Sequence, residues 1–378
     1  MAPTKRPVEI IAAVLSLIAF LCFGNSEAFA GSAKSTLLKA AQEADSKGYI
    51  FITNHDDIVK KAKDEGKLRI ASGLLRSIKA TTEAFKKRYP FIDVRQEEFR
   101  GPESSQRFLM EIGAGRDTGW DIVRTHMDFY SEYLPHLWKV DLFGMAKHGV
   151  LNISSKMIDP KNRNVIALLS QFAVVGYNKN LLSPNRVPKT WEDLLKPEFK
   201  GRKLTTDIRA QNIASLVPSW GLEKTLDYAR KLAAQQPVWG RGPSRMAAIL
   251  AAGEVALIVA NNFGATKRTQ LRDPSGAIGI AILEPVPVRV SAEQAILATS
   301  TNRHAALLWL EWITSPEAQQ VIDKQEPLTA SIYAKGSIAE QELRGKNLSV
   351  VSWEDNAKLE PWVEKISEAF GFPRADNK

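Results

Sequence analysis

The chain has 378 residues, with 51 lysines and arginines against 42 aspartates and glutamates, so its net charge is +9, and it contains one cysteine. This length allows two domains of ordinary size, and a single cysteine excludes disulfides within the chain and clusters of thiolate metal ligands. The basic residues are spread without a long run. This does not indicate a nucleic-acid partner, and it is compatible either with an anionic solute or simply with solubility.

The first thirty residues have the three parts of a secretory signal peptide. Lys5 and Arg6 precede an apolar stretch from Ile10 to Phe23, and Ala28-Phe29-Ala30 forms a small-x-small cleavage site. We expect cleavage after this site rather than an anchor, because the apolar stretch is shorter than the roughly 20 residues of a membrane span. Cys22 would be removed with this segment, which suits a mature protein exported to the bacterial periplasm.

The segment that follows alternates helices and strands. Helices are predicted over residues 35–44, 78–89 and 108–112, and strands over 67–73, 92–94 and 120–124. Ser72 and Gly73 end the first strand, and Thr125 follows the third. The alternation predicts an α/β fold with a mainly parallel sheet covered by helices.

The rest of the chain continues this pattern and then becomes helical. Strands are predicted over residues 172–178, 203–207, 255–260, 277–283 and 295–298, and helices from 188, with Thr190 as cap, and over 222–233, 305–314, 316–324 and 354–370. Thr206 lies at the end of the second of these strands. A second domain is expected to begin with this half of the chain.

The stretch from Arg241 to Gly264 is predicted to form a ligand cradle. Ser244 is expected to cap a helix that ends at Gly253, and the following strand ends in Asn261 and Asn262. A helix N-terminus offers unpaired N–H groups, and strand ends are the usual ligand positions in α/β folds. The alternative is that the two asparagines only form a loop.

Two arginines could bind an anion. The guanidinium groups of Arg209 and Arg241 suit bidentate contacts with a carboxylate, phosphonate or sulfonate, and the alternative for each is a solvated side chain.

The sequence lacks G-x-S-x-G, H-E-x-x-H and G-x-x-x-x-G-K-[ST], so it predicts neither an enzyme, nor a metal site, nor a cofactor.

Three segments resemble the periplasmic solute-binding proteins of bacterial ABC importers, in particular the ferric-iron-type branch of the type 2 binding-protein fold. They are GLLRSIKATTEAFKKRYPFIDV from Gly73, GYNKNLL…VPKTWEDLLKPEFKGR from Gly176, and LLWLEWITSPEAQQVI from Leu307. The resemblance implies two α/β lobes with a ligand cleft between them and crossing hinge strands. One lobe would hold residues 31–175 and 284–378, and the other 176–283.

The resemblance also implies how such a protein works. A small-molecule ligand would be trapped by lobe closure and delivered to an ABC permease in the inner membrane, with the binding protein acting as a monomer. Ligand contacts would come from strand ends and helix N-termini facing the cleft, here Ser72, Gly73, Thr125, Thr206, Arg209, Arg241, Ser244, Asn261 and Asn262. Tyr177, at the crossover, could close over the ligand.

One departure from the family pattern concerns iron. Ferric-binding members similar to this chain have adjacent tyrosines after the strand end, whereas Phe263 and Gly264 stand at the matching positions. Direct Fe(III) binding is therefore not expected there, although a chelated ferric ion stays possible.

Two further functions are open. One is a module that signals to a sensor kinase or chemoreceptor. The other is an enzyme on the same fold, against which the cysteine-free mature chain argues.

Overall fold

The computed structural model describes residues 35–99, 101–116, 119–125, 129–325 and 329–372. The predicted signal peptide and its cleavage site lie outside this part of the chain. None of the helices in the described part is long and apolar enough to cross a membrane.

The described part of the chain contains ten strands. They are β1 (Lys67–Ser72), β2 (Asp93–Glu98), β3 (Ile122–Arg124), β4 (Val165–Asn178), β5 (Leu204–Asp207), β6 (Val238–Gly240), β7 (Leu257–Asn262), β8 (Ile278–Ala281), β9 (Val286–Ile296) and β10 (Leu348–Val351). The strand order is β2-β1-β3-β9-β4-β7-β5-β6, with β8 added to β4 and β10 to β9. Strands β1, β2 and β3 are parallel, as are β5, β6 and β7.

The helices cover both groups of strands. They are α1 (residues 35–46), α2 (His55–Glu65), α3 (Ile78–Arg88), α4 (Gly101–Gly113), α5 (Tyr130–Tyr133), α6 (Leu142–Lys147), α7 (Gln211–Ala214), α8 (Val217–Trp220), α9 (Leu222–Ala234), α10 (Pro243–Ala251), α11 (Phe263–Arg272), α12 (Arg303–Ile313), α13 (Pro316–Gln325), α14 (Ile338–Glu342) and α15 (Asn356–Ala369).

The long strand β4 belongs to both lobes. Its first half pairs antiparallel with β9, and its second half pairs with β7 and β8. Because β8 leads directly into β9, two antiparallel chain segments cross from one lobe to the other. Gln171 of β4 faces Arg289 of β9 at the crossing. This architecture confirms the predicted α/β, two-lobed fold with crossing hinge strands.

Each lobe has its own apolar core. In the first, Trp309 of α12 is fully buried, and its ring centroid lies 5.1 Å from that of Phe85 in α3. In the second, Trp191 is fully buried and packs edge-on against Tyr228 of α9, at 6.2 Å. Burial of such large aromatic side chains is a main source of stability for the lobes.

The C-terminal helix α15 packs on the second lobe. Its buried residues Val363, Ile366 and Phe370 belong to the core cluster that contains Trp191. The lobe limits from the sequence group this segment with the first lobe instead. The apolar positions of α15 predict that it packs somewhere, but only the tertiary structure shows which lobe receives it.

Several elements differ from the sequence-based prediction. Helix α2 was not predicted from its mostly charged sequence, and in the structure its buried residues are Ile58 and Ala62. Asn54 caps this helix by accepting a hydrogen bond from the N–H of Asp56 at 3.0 Å. Strand β9 is much longer than the predicted 295–298. The helix expected from residue 188 is a short 3-10 turn over Glu192–Leu195.

Candidate functional site

A cavity of about 200 Å³ lies where the second lobe meets the crossing strands. Its walls are the end of β5 with the following turn, the start of α7, the end of β7, and one side chain from each crossing strand. The lining residues are Gln171, Thr206, Asp207, Arg209, Ala210, Gln211, Asn212, Ile213, Pro243, Ala260, Asn261, Asn262 and Arg289.

A second cavity of about 410 Å³ continues from the first toward the first lobe. Gln171, Gln211 and Arg289 line both cavities. The second is also lined by Arg124, Val290, Ser291, Ala292, Glu293, Asn356, Ala357, Leu359 and Glu360. The two cavities therefore form one cleft between the lobes, with the crossing strands at its base.

Arg289 is the central cation of this cleft. Its guanidinium group donates to three amide oxygens: those of Gln211 at 3.3 Å, Gln171 at 3.3 Å and Asn212 at 3.2 Å. Among the described residues no carboxylate pairs with it, and its Nε has no acceptor. Burial, and then repulsion from Arg209, lower the pKa of Arg289 to about 10, which leaves it charged at neutral pH.

The other arginine predicted for the site is neutralised. Arg209 contacts both carboxylate oxygens of Asp207, at 2.8 and 3.2 Å, and Asp207 also accepts from the N–H of Gly242 at 3.1 Å. Burial opposes the charge on Asp207, but these bonds outweigh it and lower the pKa of the carboxyl. The charge of Arg209 is therefore compensated by Asp207 at the edge of the first cavity. The charge of Arg289 is not compensated by a carboxylate among the described residues.

The two predicted asparagines have different roles. Asn261 is fully buried, and its amide nitrogen donates to Pro243 O at 3.2 Å and Thr266 Oγ1 at 3.0 Å. Its side-chain oxygen has no donor among the described residues. Asn262 instead caps α11, by accepting from the N–H of Ala265 at 3.0 Å. Both line the cavity, and Asn261 offers it an unpaired acceptor.

Three predicted residues of the first lobe lie beside the second cavity rather than in its lining. Ser72 is buried and accepts from the N–H of Leu74 at 3.2 Å. Gly73 makes room for Arg124, since a Cβ there would lie 2.4 Å from Arg124 Cδ. Thr125 is buried, and its backbone N–H donates to Glu293 O at 3.1 Å. Ser72 and Gly73 thus form the turn against which Arg124 packs.

Thr206 lies in the cleft, whereas three other predicted residues do not. Thr206 is buried at the end of β5 and lines the first cavity. Arg241 and Ser244 are exposed and line neither cavity, and the ring of Tyr177 covers Gly279 of the neighbouring strand.

The expected helix cap at Ser244 is wrong. Helix α10 begins at Pro243, with Gly242 as N-cap and no capping hydrogen bond from a side chain. Proline is favoured at the first helical position because its φ is already helical and its missing N–H needs no partner. Gly242 adopts a φ of 96°, which favours glycine at this turn.

Sequence reasoning missed the residues at the crossing. These residues come from three distant segments and follow no motif: Gln171, the adjacent pair Gln211 and Asn212, and Arg289. Strand β9 was predicted only at its end. The one available signal was Arg289 itself, a charged residue within the otherwise apolar run from Val286 to Val290. A charge in a buried strand is expensive, so it indicates a function.

The backbone is strained on both sides of the crossing. Ala260 in β7 and Ala292 in β9 have φ values of 51° and 58°, in the left-handed region that few non-glycine residues adopt. Each lines one of the two cavities. Such strain persists only where surrounding structure enforces it, and it concentrates at functional sites.

The position of the missing tyrosines is buried. The ring of Phe263 is 1% exposed and packs on Phe172, with centroids 4.2 Å apart. Among the described residues, no tyrosine or histidine lines either cavity. In the described part of the chain there is no group of three or more histidine, cysteine, aspartate or glutamate side chains able to hold a metal ion.

Comparison with known proteins identifies the family. The model of a family described as bacterial extracellular solute-binding protein matches residues 71–320. This chain belongs to that family. The match covers most of both lobes and the crossing strands, so it includes the whole described lining of the first cavity.

Solved structures of solute-binding proteins share the fold. A Pasteurella haemolytica apo ferric ion-binding protein A has 17% identity and a TM-score of 0.61, covering 82% of this chain and 100% of its own. A Trichodesmium protein in complex with iron and citrate has 18% identity and a TM-score of 0.59, covering 80% and 99%. The substrate-binding protein of an Agrobacterium tumefaciens ABC transporter has 19% identity and a TM-score of 0.56, covering 80% and 95%.

The family membership confirms the predicted function as the solute-binding component of an ABC import system, and the sensing alternative is not favoured. The family and its neighbours are binding proteins rather than enzymes. The described walls of the cleft in this chain combine arginines, carboxylates, amides and hydroxyls.

Asn261 lines the cleft and Arg241 does not, so their substitution should have different effects. Asn261→Ala should weaken solute binding and cost about 1–3 kcal/mol of stability, because it leaves Thr266 and Pro243 without their amide partner. Arg241→Ala should change neither quantity. Calorimetric affinity and urea unfolding of each single variant measure both effects, and loss of binding in Arg241→Ala would contradict this assignment of the cleft.

Proposed function

We propose that this solute-binding protein captures a small organic anion of the carboxylate class in its cleft and delivers it to an ABC permease of the inner membrane. The observation that carries the proposal is Arg289, a partly buried guanidinium group whose hydrogen bonds all go to neutral amide oxygens. Withdrawing a cation from water without a counter-charge is costly, and an anionic ligand offsets that cost.

The surrounding groups suit a carboxylate. The guanidinium group presents a planar set of donors that matches two carboxylate oxygens. Gln171, Gln211 and Asn212 are neutral partners, so they leave the charge of the group uncompensated. The Asn261 oxygen and the Thr206 hydroxyl can bind hydroxyl or amide groups elsewhere on the ligand.

The fold provides the means of capture. Thr206 and Asn261 belong to the second lobe, Arg124 belongs to the first, and Arg289 lies on the strand that crosses between them. A ligand that touches all of them binds the closed arrangement better than the open one, and this difference drives closure. The proposed mature form starts after Ala30 and acts as a monomer in the periplasm.

A melting-temperature screen tests the proposed ligand class. The mature protein is heated with acetate, succinate, citrate, ferric citrate, phosphate, sulfate, ferric chloride and a neutral sugar. Multivalent carboxylates should raise the melting temperature, because a ligand that binds only the folded form stabilises it by about 2.7 kcal/mol at a hundred times its Kd. Stabilisation by the sugar alone, or by ferric chloride without a chelator, would refute the proposal.

Ferric citrate has a specific place in that screen. The Trichodesmium structure of the same fold holds iron and citrate. A larger shift with ferric citrate than with citrate would identify an iron chelate as the solute. Equal shifts would mean that the carboxylate is recognised and the metal is not.

A further inference from the structure

The segment between β10 and the middle of α15 connects the two lobes a third time. Trp353 packs against the core cluster of the first lobe, and its ring centroid lies 6.0 Å from that of Tyr130. Ten residues later, Val363 and then Ile366 and Phe370 are buried in the core of the second lobe. The residues in between, 353–360, therefore pass from the core of one lobe to that of the other, and we call them the strap.

The strap is also a wall of the cleft. Asn356, Ala357, Leu359 and Glu360 line the 410 Å³ cavity that holds Arg124 and Arg289. The family match ends at residue 320, so the strap lies outside it. The strap therefore adds to the site a surface that the family match does not include.

The strap is loosely packed on two sides. Asn356 and Ala357 line a further cavity of about 640 Å³, on the side of Tyr130 and Trp353. The first turn of α15 thus has open space on both the cleft side and the outer side. A segment bordered by two cavities opens at lower cost in free energy than a helix enclosed in a core.

Pro361 divides the strap from the anchored part of α15. It lies inside the helix and has no N–H to donate to the carbonyl oxygen of Ala357. The first turn is therefore joined to the rest of the helix by one bond fewer than usual. Such positions are where helices bend.

From these observations we propose that the strap is a mobile wall of the solute site, which swings at Pro361, docks through Trp353 on the first lobe, and holds the cleft closed over its ligand. The proposal rests on the proposed function for the ligand that is enclosed. The movement of the strap and the distance between the lobes can be measured in the unliganded protein as well. A docked Trp353 ties the lobes together, and an undocked one lets them separate and the ligand exchange.

Two measurements on unliganded protein test the strap. Hydrogen exchange reports the opening of residues 356–360 against that of 363–369, and spin labels at Lys87→Cys in α3 and Glu223→Cys in α9 report the distance between the lobes. The chain's single cysteine lies in the predicted signal peptide, so labelling of the mature protein is specific. Trp353→Ala should raise exchange in 356–360 about tenfold or more, leave 363–369 protected, and broaden the distance distribution.

Two further variants control for loss of folding. Trp353→Phe keeps an aromatic ring and should behave nearly as the parent. Pro361→Ala supplies the missing N–H donor, so it should lower exchange in 356–360 and narrow the distance distribution. Trp353→Ala that leaves both readouts unchanged, or Pro361→Ala that loosens the strap, would overturn the proposal.

Ligand measurements separate the two proposals. Citrate titrated into the parent and into Trp353→Ala should dissociate several times faster from the variant. If citrate and the other anions bind neither protein, the proposed ligand class fails, while exchange and distances still decide on the strap. If citrate binds both with equal rates, the strap fails and the ligand class stands.

Discussion

Replacement of Arg289 by glutamine should reduce the affinity for an anionic solute by roughly 10- to 150-fold, which corresponds to the loss of charge-assisted hydrogen bonds worth about 1.5–3 kcal/mol. The physical reason is that Arg209, the other arginine in the described lining of the first cavity, is held by Asp207 in a two-point ion pair. Calorimetric titration with the anion that gives the largest shift in the melting screen measures the loss.

Lysine at the same position gives a graded test. Arg289→Lys keeps the charge but loses the planar donor fork, so its affinity should fall between those of the parent and Arg289→Gln. Arg344→Gln is the matched control, because Arg344 is an exposed arginine paired with Glu340 on α14. Equal affinities for the parent and Arg289→Gln would exclude Arg289 as the anion-binding group.

Arg289→Gln should not destabilise the unliganded protein, although it weakens anion binding. Because burial lowers the pKa of Arg289, the folded protein bears a cost for its charge at every pH below about 10. Arg289→Gln removes that cost, so the unliganded variant should unfold at an equal or higher urea concentration. A gain in stability coupled to a loss of binding is characteristic of a binding residue rather than a structural one.

Replacement of Trp191 by alanine should destabilise the second lobe by about 3–5 kcal/mol. Trp191 is the tryptophan of the P-x-T-W-x-D-L segment, and it is fully buried. Its indole N–H donates to the carbonyl oxygen of Pro285 at 3.1 Å, directly before strand β9 begins. It therefore links the core of the lobe to the start of the crossing strand that carries Arg289.

Trp191→Phe separates packing from this hydrogen bond. It keeps most of the aromatic volume but leaves the Pro285 carbonyl unpaired, which should cost about 1–3 kcal/mol. Trp220→Phe, at a half-buried ring 6.3 Å from Trp191, serves as control and should cost less. Urea unfolding followed by hydrogen exchange resolves the two lobes, and equal costs for Trp191→Phe and Trp220→Phe would argue against the proposed link.

Local patterns were sufficient to predict much of the secondary structure. The apolar positions of α3, α9, α12 and α13 repeat at helical spacing, and β7 begins as a short apolar run, so their existence follows from local sequence. The motif around Trp191 and the helix pair near residue 315 were specific enough to indicate the family. These features depend on neighbours in sequence, which a linear reading contains.

The ends of helices and strands were harder to predict, because several neighbouring residues could each cap the same helix. At residues 242–244 a glycine, a proline and a serine each could begin a helix, and the proline decides it since its φ is fixed. At residues 261–262 the two asparagines look equivalent, yet one is buried between α10 and α11 and the other caps α11. Their different roles depend on what packs beside them.

Sequence alone determined the family, the alternation of strands and helices, and the absence of a tyrosine pair at residues 263 and 264. Only the tertiary structure decided that Arg289 is the cation of the cleft, that Arg209 is neutralised, and that the C-terminal helix crosses to the second lobe. The reason is that a charge is free or paired according to its neighbours in space. The groups around Arg289 come from chain segments 77 to 118 residues away.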